Sequence, residues 1–174
     1  MDRLYKSLAQ GKAILLAALF TVAAFVAFAL FDRARPAGTP SVVALQLAFS
    51  ATRFREVLEQ WGAPGMQAYR TSTLLVDSWF PIAYAALLSG LLARLTARLG
   101  GGGSGPGFAV FALPLLAAAL DWIENVLHLS LLRDPSRISA ALVLLASIAA
   151  TVKWALLGVS IVAIVGLLLR GRRQ

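Results

Sequence analysis

Cysteine is absent from this 174-residue sequence. Disulfides, thiolate metal sites and lipidation on sulfur are therefore excluded, while the redox compartment stays open. Charge is scarce: 14% of residues are Asp, Glu, Lys or Arg, against about 25% in an ordinary soluble domain. That excludes most soluble enzymes, and it excludes disorder, which needs a polar, charged chain. Histidine occurs once, at His128, whereas a catalytic zinc site wants three protein ligands, often two or three of them histidines. The glycine-rich stretch GGGGSGPG at 100–107 lacks the Gly-Lys-Ser/Thr that would cradle a phosphate, so it reads as a flexible linker. No serine lies in a nucleophile motif, and no alternating strand pattern suggests a barrel.

What the sequence has instead is long apolar runs. The chain is 59% hydrophobic, with a mean hydropathy of +0.79. A helix needs about 20 apolar residues to cross a bilayer, and four segments qualify: 13–31, 74–92, 108–132 and 138–169. Backbone groups in lipid must be satisfied internally, so these segments are helices. The sequence predicts an all-α, polytopic membrane protein, one domain over 1–174, with four transmembrane helices. Ala27-Phe28-Ala29 has the look of a signal cleavage site, but the run before it exceeds the roughly 7–15 residues of a signal core, so an uncleaved span is expected. The last run would reach about 48 Å as a straight helix, against a hydrocarbon core of about 30 Å, so it must tilt, project or bend. Asp134-Pro135-Ser136 before it reads as a helix start.

The net charge of +8 arises from 16 Lys and Arg against 8 Asp and Glu. Most of the basic residues flank apolar runs, as with Arg3, Lys6 and Lys12, Arg33 and Arg35, and Arg170, Arg172 and Arg173. They suit anionic headgroups rather than nucleic acid. The two ends and the glycine loop carry eight Lys/Arg and the other two loops seven, which places both termini in the cytoplasm.

The long connection at 33–71 has a pattern of its own. Thr39-Pro40 reads as a helix start and Gly62 as a stop. Val43, Leu47, Ala51, Phe54, Leu58 and Trp61 form one stripe, predicting an amphipathic helix over 40–61. Such a helix lies in the headgroup plane with Trp61 at the interface, or caps the bundle.

Charged groups within spans are costly and are suspects for function. They are Asp77 on the second span, Asp121, Glu124, Asn125 and His128 on the third, and Lys153 on the fourth. Positions 121, 124, 125 and 128 fall on one helix face. Asp77 shares a membrane layer with Glu124 and His128, and helix depth allows an Asp121–Lys153 pair. Pro81 and Pro114 remove backbone donors and free the carbonyls of Asp77 and Val110, so kinks are expected there. Three readings stand: a structural network fixing helix register, a ligand pocket or catalytic site, and a proton path. Catalysis would use Glu124 or Asp121 as acid or base with Lys153 as electrostatic partner, and His128 could move a proton. Glu124 and His128 at i, i+4 offer two metal ligands and Asp77 a third, but the expected reading is no metal and no cofactor. Trp79, Trp122 and Trp154 read as packing or interface anchors.

The series "FREVLEQWG", "LLVDSWFPIAY", "ALDWIENVLHL" and "VKWALL" resembles a group of small bacterial four-span hypothetical membrane proteins, with Asp121-x-x-Glu124-Asn125 and then Lys153 as the most specific element. The resemblance implies a four-helix fold in a bacterial cytoplasmic membrane. The plan of four spans with a long amphipathic first loop and inward carboxylates is also similar to the sterol-isomerase and sigma-2-receptor group, the EXPERA families. That plan implies binding of a sterol-like molecule or isomerase chemistry, with no pocket residue carried over. The leading expectation is a non-enzymatic integral membrane protein, followed by a lipid-pocket protein or isomerase-type enzyme, then a small proton-coupled carrier or accessory subunit. Expected partners are membrane lipids, a hydrophobic small molecule, and a second copy or membrane protein packed on small-residue faces such as 117–119 and 149–150; nucleic acid is not among them.

Overall fold

The computed structural model describes residues 2–100 and 106–171. Residues 101–105 of the glycine-rich stretch, and Arg172 and Arg173 among the basic flanks, lie outside the described residues. All regular structure among the described residues is helical. The helices are α1 (Asp2–Leu8), α2 (Gly11–Asp32), α3 (Val42–Gln46), α4 (Ala51–Ser72), α5 (Phe80–Arg98), α6 (Pro106–Leu131) and α7 (Ala140–Gly171). A π turn at Thr73–Asp77 follows α4, and a 3-10 turn at Pro135–Arg137 precedes α7. Four helices, α2, α5, α6 and α7, are long and apolar enough to cross a membrane, so the chain is an all-α polytopic membrane protein. Leu15, Leu19, Phe20 and Phe25 on α2 and Ile161, Val162 and Leu169 on α7 are more than half exposed, which suits helices whose surroundings are lipid tails.

The second span differs from its sequence reading. It runs over Phe80–Arg98 rather than 74–92. The apolar run does begin at Leu74, but residues 73–77 close a wide π turn and the straight helix starts only afterwards. Pro81 then falls in the first turn of α5, where a missing N–H is tolerated. The fourth span also starts later. Asp134 does cap a helical turn, accepting from the Ser136 N–H at 3.1 Å, but that turn is the separate 3-10 piece. Helix α7 begins after extended Ile138, with the Ser139 hydroxyl accepting from the Leu142 N–H at 3.4 Å. It then continues for 32 residues as a single helix.

The chain divides into two compact units. The first comprises residues 1–22, 80–119 and 153–174. Tyr5, Ala93 and Phe111 form one part of its core, and Tyr84, Ala85, Ala117 and Ala118 another, with Leu156 and Leu157 packed against them. The Tyr5 hydroxyl donates to the carbonyl of Ala93 at 2.9 Å, and burial raises its phenol above the ordinary value. Gly90 permits a close approach of α5 to α1: a Cβ there would lie 2.5 Å from the carbonyl oxygen of Leu8. The Ser89 hydroxyl donates to the carbonyl of Phe111 at 2.9 Å, and α6 passes Pro114 as one helix.

The second unit comprises residues 23–79 and 120–152. Its core joins α3 and α4 to the end of α6 and the start of α7, through Leu45, Phe54, Val57, Leu58, Trp61, Leu131, Leu132 and Val143. The expected single helix over 40–61 is two helices. Local capping overrides the stripe: the Ser41 hydroxyl caps α3 and the Ser50 hydroxyl caps α4, accepting from the Ala44 and Arg53 N–H groups. Thr39 does not cap; its hydroxyl donates to the carbonyl of Pro36. Between the helices Phe49 takes a positive φ of 55°, and its N–H donates to the buried Ser147 hydroxyl at 3.0 Å. The break rotates the pattern, so Val43 (42%) and Leu47 (38%) are exposed while Leu45 is fully buried.

Gly62 interrupts α4 without ending it. Its φ of 61° and ψ of −176° are non-helical, and Pro64 opens the continuing helix. Trp61 is fully buried rather than interfacial. Its indole N–H donates to the carbonyl of Pro40 at 2.7 Å, and Arg35 donates to the same oxygen at 2.7 Å.

Candidate functional site

The polar face read from α6 is an inward face of the second unit. Asp121, Glu124, Asn125 and His128 are all between 0 and 5% exposed, while Trp122, Ile123 and Val126 on the other faces are 43–63% exposed. Three-and-four spacing on a helix does this whenever one side must avoid lipid.

Opposite this face stand the second part of α4 and the π turn. The hydroxyl of Tyr69 lies 2.8 Å from Nδ1 of His128, both groups buried. Glu124 Oε1 is 3.8 Å from the same nitrogen. Burial, followed by the charges of Glu124, Asp77 and Asp121, pushes the Tyr69 phenol well above its ordinary range; the Thr73 hydroxyl acts in the other direction. The phenol therefore stays protonated and shares one hydrogen bond with Nδ1. Aromatic rings close the surroundings. Phe54 lies 5.6 Å from the His128 ring centre, and Trp61 lies 5.5 Å from that of Tyr69.

The π turn supplies the other half of the arrangement. Pro81 cannot donate to the carbonyl of Asp77, and the side-chain amide of Asn125 donates to that oxygen at 3.2 Å. The carbonyl of Ser78 accepts from the Trp122 indole at 2.8 Å. Leu74 and Leu75 carbonyls accept from the Ser78 hydroxyl at 2.9 Å and the Trp79 indole at 2.8 Å. Backbone oxygens released by an irregular turn in a lipid-facing chain need such donors. Trp79 and Trp122, read from sequence as packing or anchoring residues, thus have directed hydrogen bonds as well.

Of the residues singled out in the sequence, Asp77, Asp121, Glu124, Asn125 and His128 belong to this unit. Asp77 enters through its backbone carbonyl and through the charge of its carboxylate on Tyr69. Lys153 belongs to the first unit, where it is 3% exposed with its ammonium 5.3 Å from the centre of the Trp154 ring. Tyr69 lies outside the sequence reading, in which Gly62 ends the helix. The signal was present: Phe54, Leu58, Trp61, Gly65, Tyr69 and Ser72 are buried and continue the three-and-four spacing straight past Gly62.

Chemically, the group offers a protonated phenol, an imidazole and a carboxylate in close order, walled by aromatic rings. Among the described residues no three or more His, Asp or Glu side chains are grouped to hold a metal ion. No family model, curated protein or solved structure matches the chain.

Proposed function

We propose that this chain is a non-enzymatic integral membrane protein of a bacterial cytoplasmic membrane, with both termini in the cytoplasm. In this reading, Asp77, Asp121, Glu124, Asn125 and His128 form a structural network that seats α4 and the π turn on α6. One observation carries it: three side chains from neighbouring turns of α6 each engage the opposite segment. Trp122 takes the Ser78 carbonyl, Asn125 the Asp77 carbonyl and His128 the Tyr69 phenol. Hydrogen bonds between helices act as glue where lipid offers no alternative partner.

Thermal unfolding in mild detergent tests it. Replacing His128 by Leu, or Tyr69 by Phe, leaves a buried partner unsatisfied and costs about 1–3 kcal/mol each. The two together lose less than the sum, because both partners leave. Strictly additive losses, or single variants as stable as wild type, defeat the structural reading.

A second reading is favoured by the burial of Glu124 beside a histidine and a tyrosine. There the group serves a lipid-pocket protein or isomerase-type enzyme, with Glu124 as acid or base on a hydrophobic molecule. Native mass spectrometry of wild type beside Glu124→Gln separates the two. A bound molecule lost in a still-folded variant supports the pocket; no bound molecule in either supports the network.

A further inference from the structure

The first unit carries a groove that the polar cluster does not use. It holds a cavity of about 450 Å³ between the start of α2, the end of α5 and the end of α7. Its walls are apolar, with Ile14 and Leu15 from α2, Leu95 from α5, and Ile164 and Leu168 from α7. Arg94 and Arg98, one helical turn apart on α5, also line it. Arg94 lies against the backbone of Gly11, with Nη1 2.8 Å from where a Cβ would stand. Further cations follow in sequence: Lys12 beside Gly11, and Arg170 in the last turn of α7. Among residues 1–22, 80–119 and 153–174 the one acid is Asp2, at the start of α1, against a surplus of basic residues.

We propose that this groove binds an anionic glycerophospholipid from the surrounding bilayer, its phosphate held by Arg94 and Arg98 and part of one acyl chain laid against Ile14, Leu95 and Ile164. The charge pattern selects this occupant. Arginine forks grip phosphate oxygens in paired hydrogen bonds, and the two arginines stand at the end of a span, at the depth where headgroups lie. The apolar wall leads from them back along three spans, over about 10 Å of α2 and α5. A soluble anion would leave that wall uncovered, and an apolar helix would bring no phosphate to the two arginines. The polar cluster of the second unit plays no part, so the two proposals stand or fall separately.

The test uses the full-length chain in mild detergent, equilibrated with equal amounts of dioleoyl phosphatidylglycerol and dioleoyl phosphatidylcholine and examined by native mass spectrometry. Wild type retains phosphatidylglycerol in preference, by about fivefold per engaged arginine. Arg94→Gln/Arg98→Gln loses that preference while keeping its helical circular dichroism. Arg55→Gln, exposed on α4 in the second unit, keeps it. Should the double variant fail to accumulate, Arg98→Gln decides the matter alone, because its exposed side chain carries little folding weight; it reduces the preference by about fivefold. Equal retention of the two lipids by wild type overturns the proposal, as does an unchanged preference in the folded arginine variants.

Discussion

Tyr69 shows what a single side chain contributes here. Its phenol is buried, hydrogen-bonded to His128 and surrounded by carboxylates that discourage ionisation. In the unfolded chain a phenol ionises near pH 10; in the fold it does so only at a higher pH. The stabilisation is therefore complete below pH 10 and is lost as pH climbs from there through the raised folded value. Denaturant titrations between pH 8 and 11.5 should show that loss, and Tyr69→Phe should make the curve shallower by removing one of its sources; Tyr5 acts in the same direction. An unchanged curve in Tyr69→Phe counts against the assignment. The α6 residues of this cluster were legible from sequence because helical spacing alone places them on one face. Tyr69 is not, because Gly62 reads as punctuation and the buried residues that keep the spacing beyond it, Gly65, Tyr69 and Ser72, form no apolar stripe. Nor does spacing reveal that Asp77 participates through its carbonyl, although Pro81 four residues later identifies that carbonyl as free.

At the scale of elements, two glycines make sharp predictions. Gly62 holds a backbone conformation essentially reserved for glycine, between two helical pieces that both pack into one core. Gly62→Ala should cost about 1–3 kcal/mol in thermal unfolding, with the helix content kept. Gly90→Ala acts differently: its Cβ meets the backbone oxygen of Leu8, so α1 must move away from α5. Overpacking of this kind costs about 1–3 kcal/mol, and faster proteolysis near residues 9–10 should accompany it. A variant as stable and as protected as wild type removes the argument. Long elements were legible because apolar length decides them, and α2 matches its run to within two residues at each end. The second span was displaced because hydropathy does not register a π turn. The single amphipathic helix failed because Ser41 and Ser50 each offer a cap, and local hydrogen bonds outweighed the continuity of the stripe.

For the whole molecule, the lack of cysteine is an experimental advantage, since any introduced thiol is the only one present. Four spans place the segment before α2 and the turn before α7 on opposite sides of a membrane. With both termini in the cytoplasm, Ser136→Cys in intact cells reacts with an impermeant maleimide and Ser7→Cys reacts only after permeabilisation. The reverse pattern inverts the proposed orientation, which the near-even division of Lys and Arg among the loops fixes only narrowly. Span number was legible because composition dominates at this scale. The division into two units was not, because α2, α6 and α7 are each continuous helices that contribute residues to both.

The π turn has a consequence in angular phase. Tyr69 and Asp77 are separated by eight residues, and an unbroken α-helix advances about 100° per residue, so it would leave them about 80° apart around the axis. A turn that absorbs one extra residue removes most of that offset, leaving about 20°. The widening therefore brings two partners of α6 onto one meridian, facing Asn125 and His128, which are themselves one turn apart. Shortening 73–77 by one residue would make a more regular helix with the wrong clock. Such a deletion can satisfy the Asp77 carbonyl or the Tyr69 phenol against α6, but not both at once.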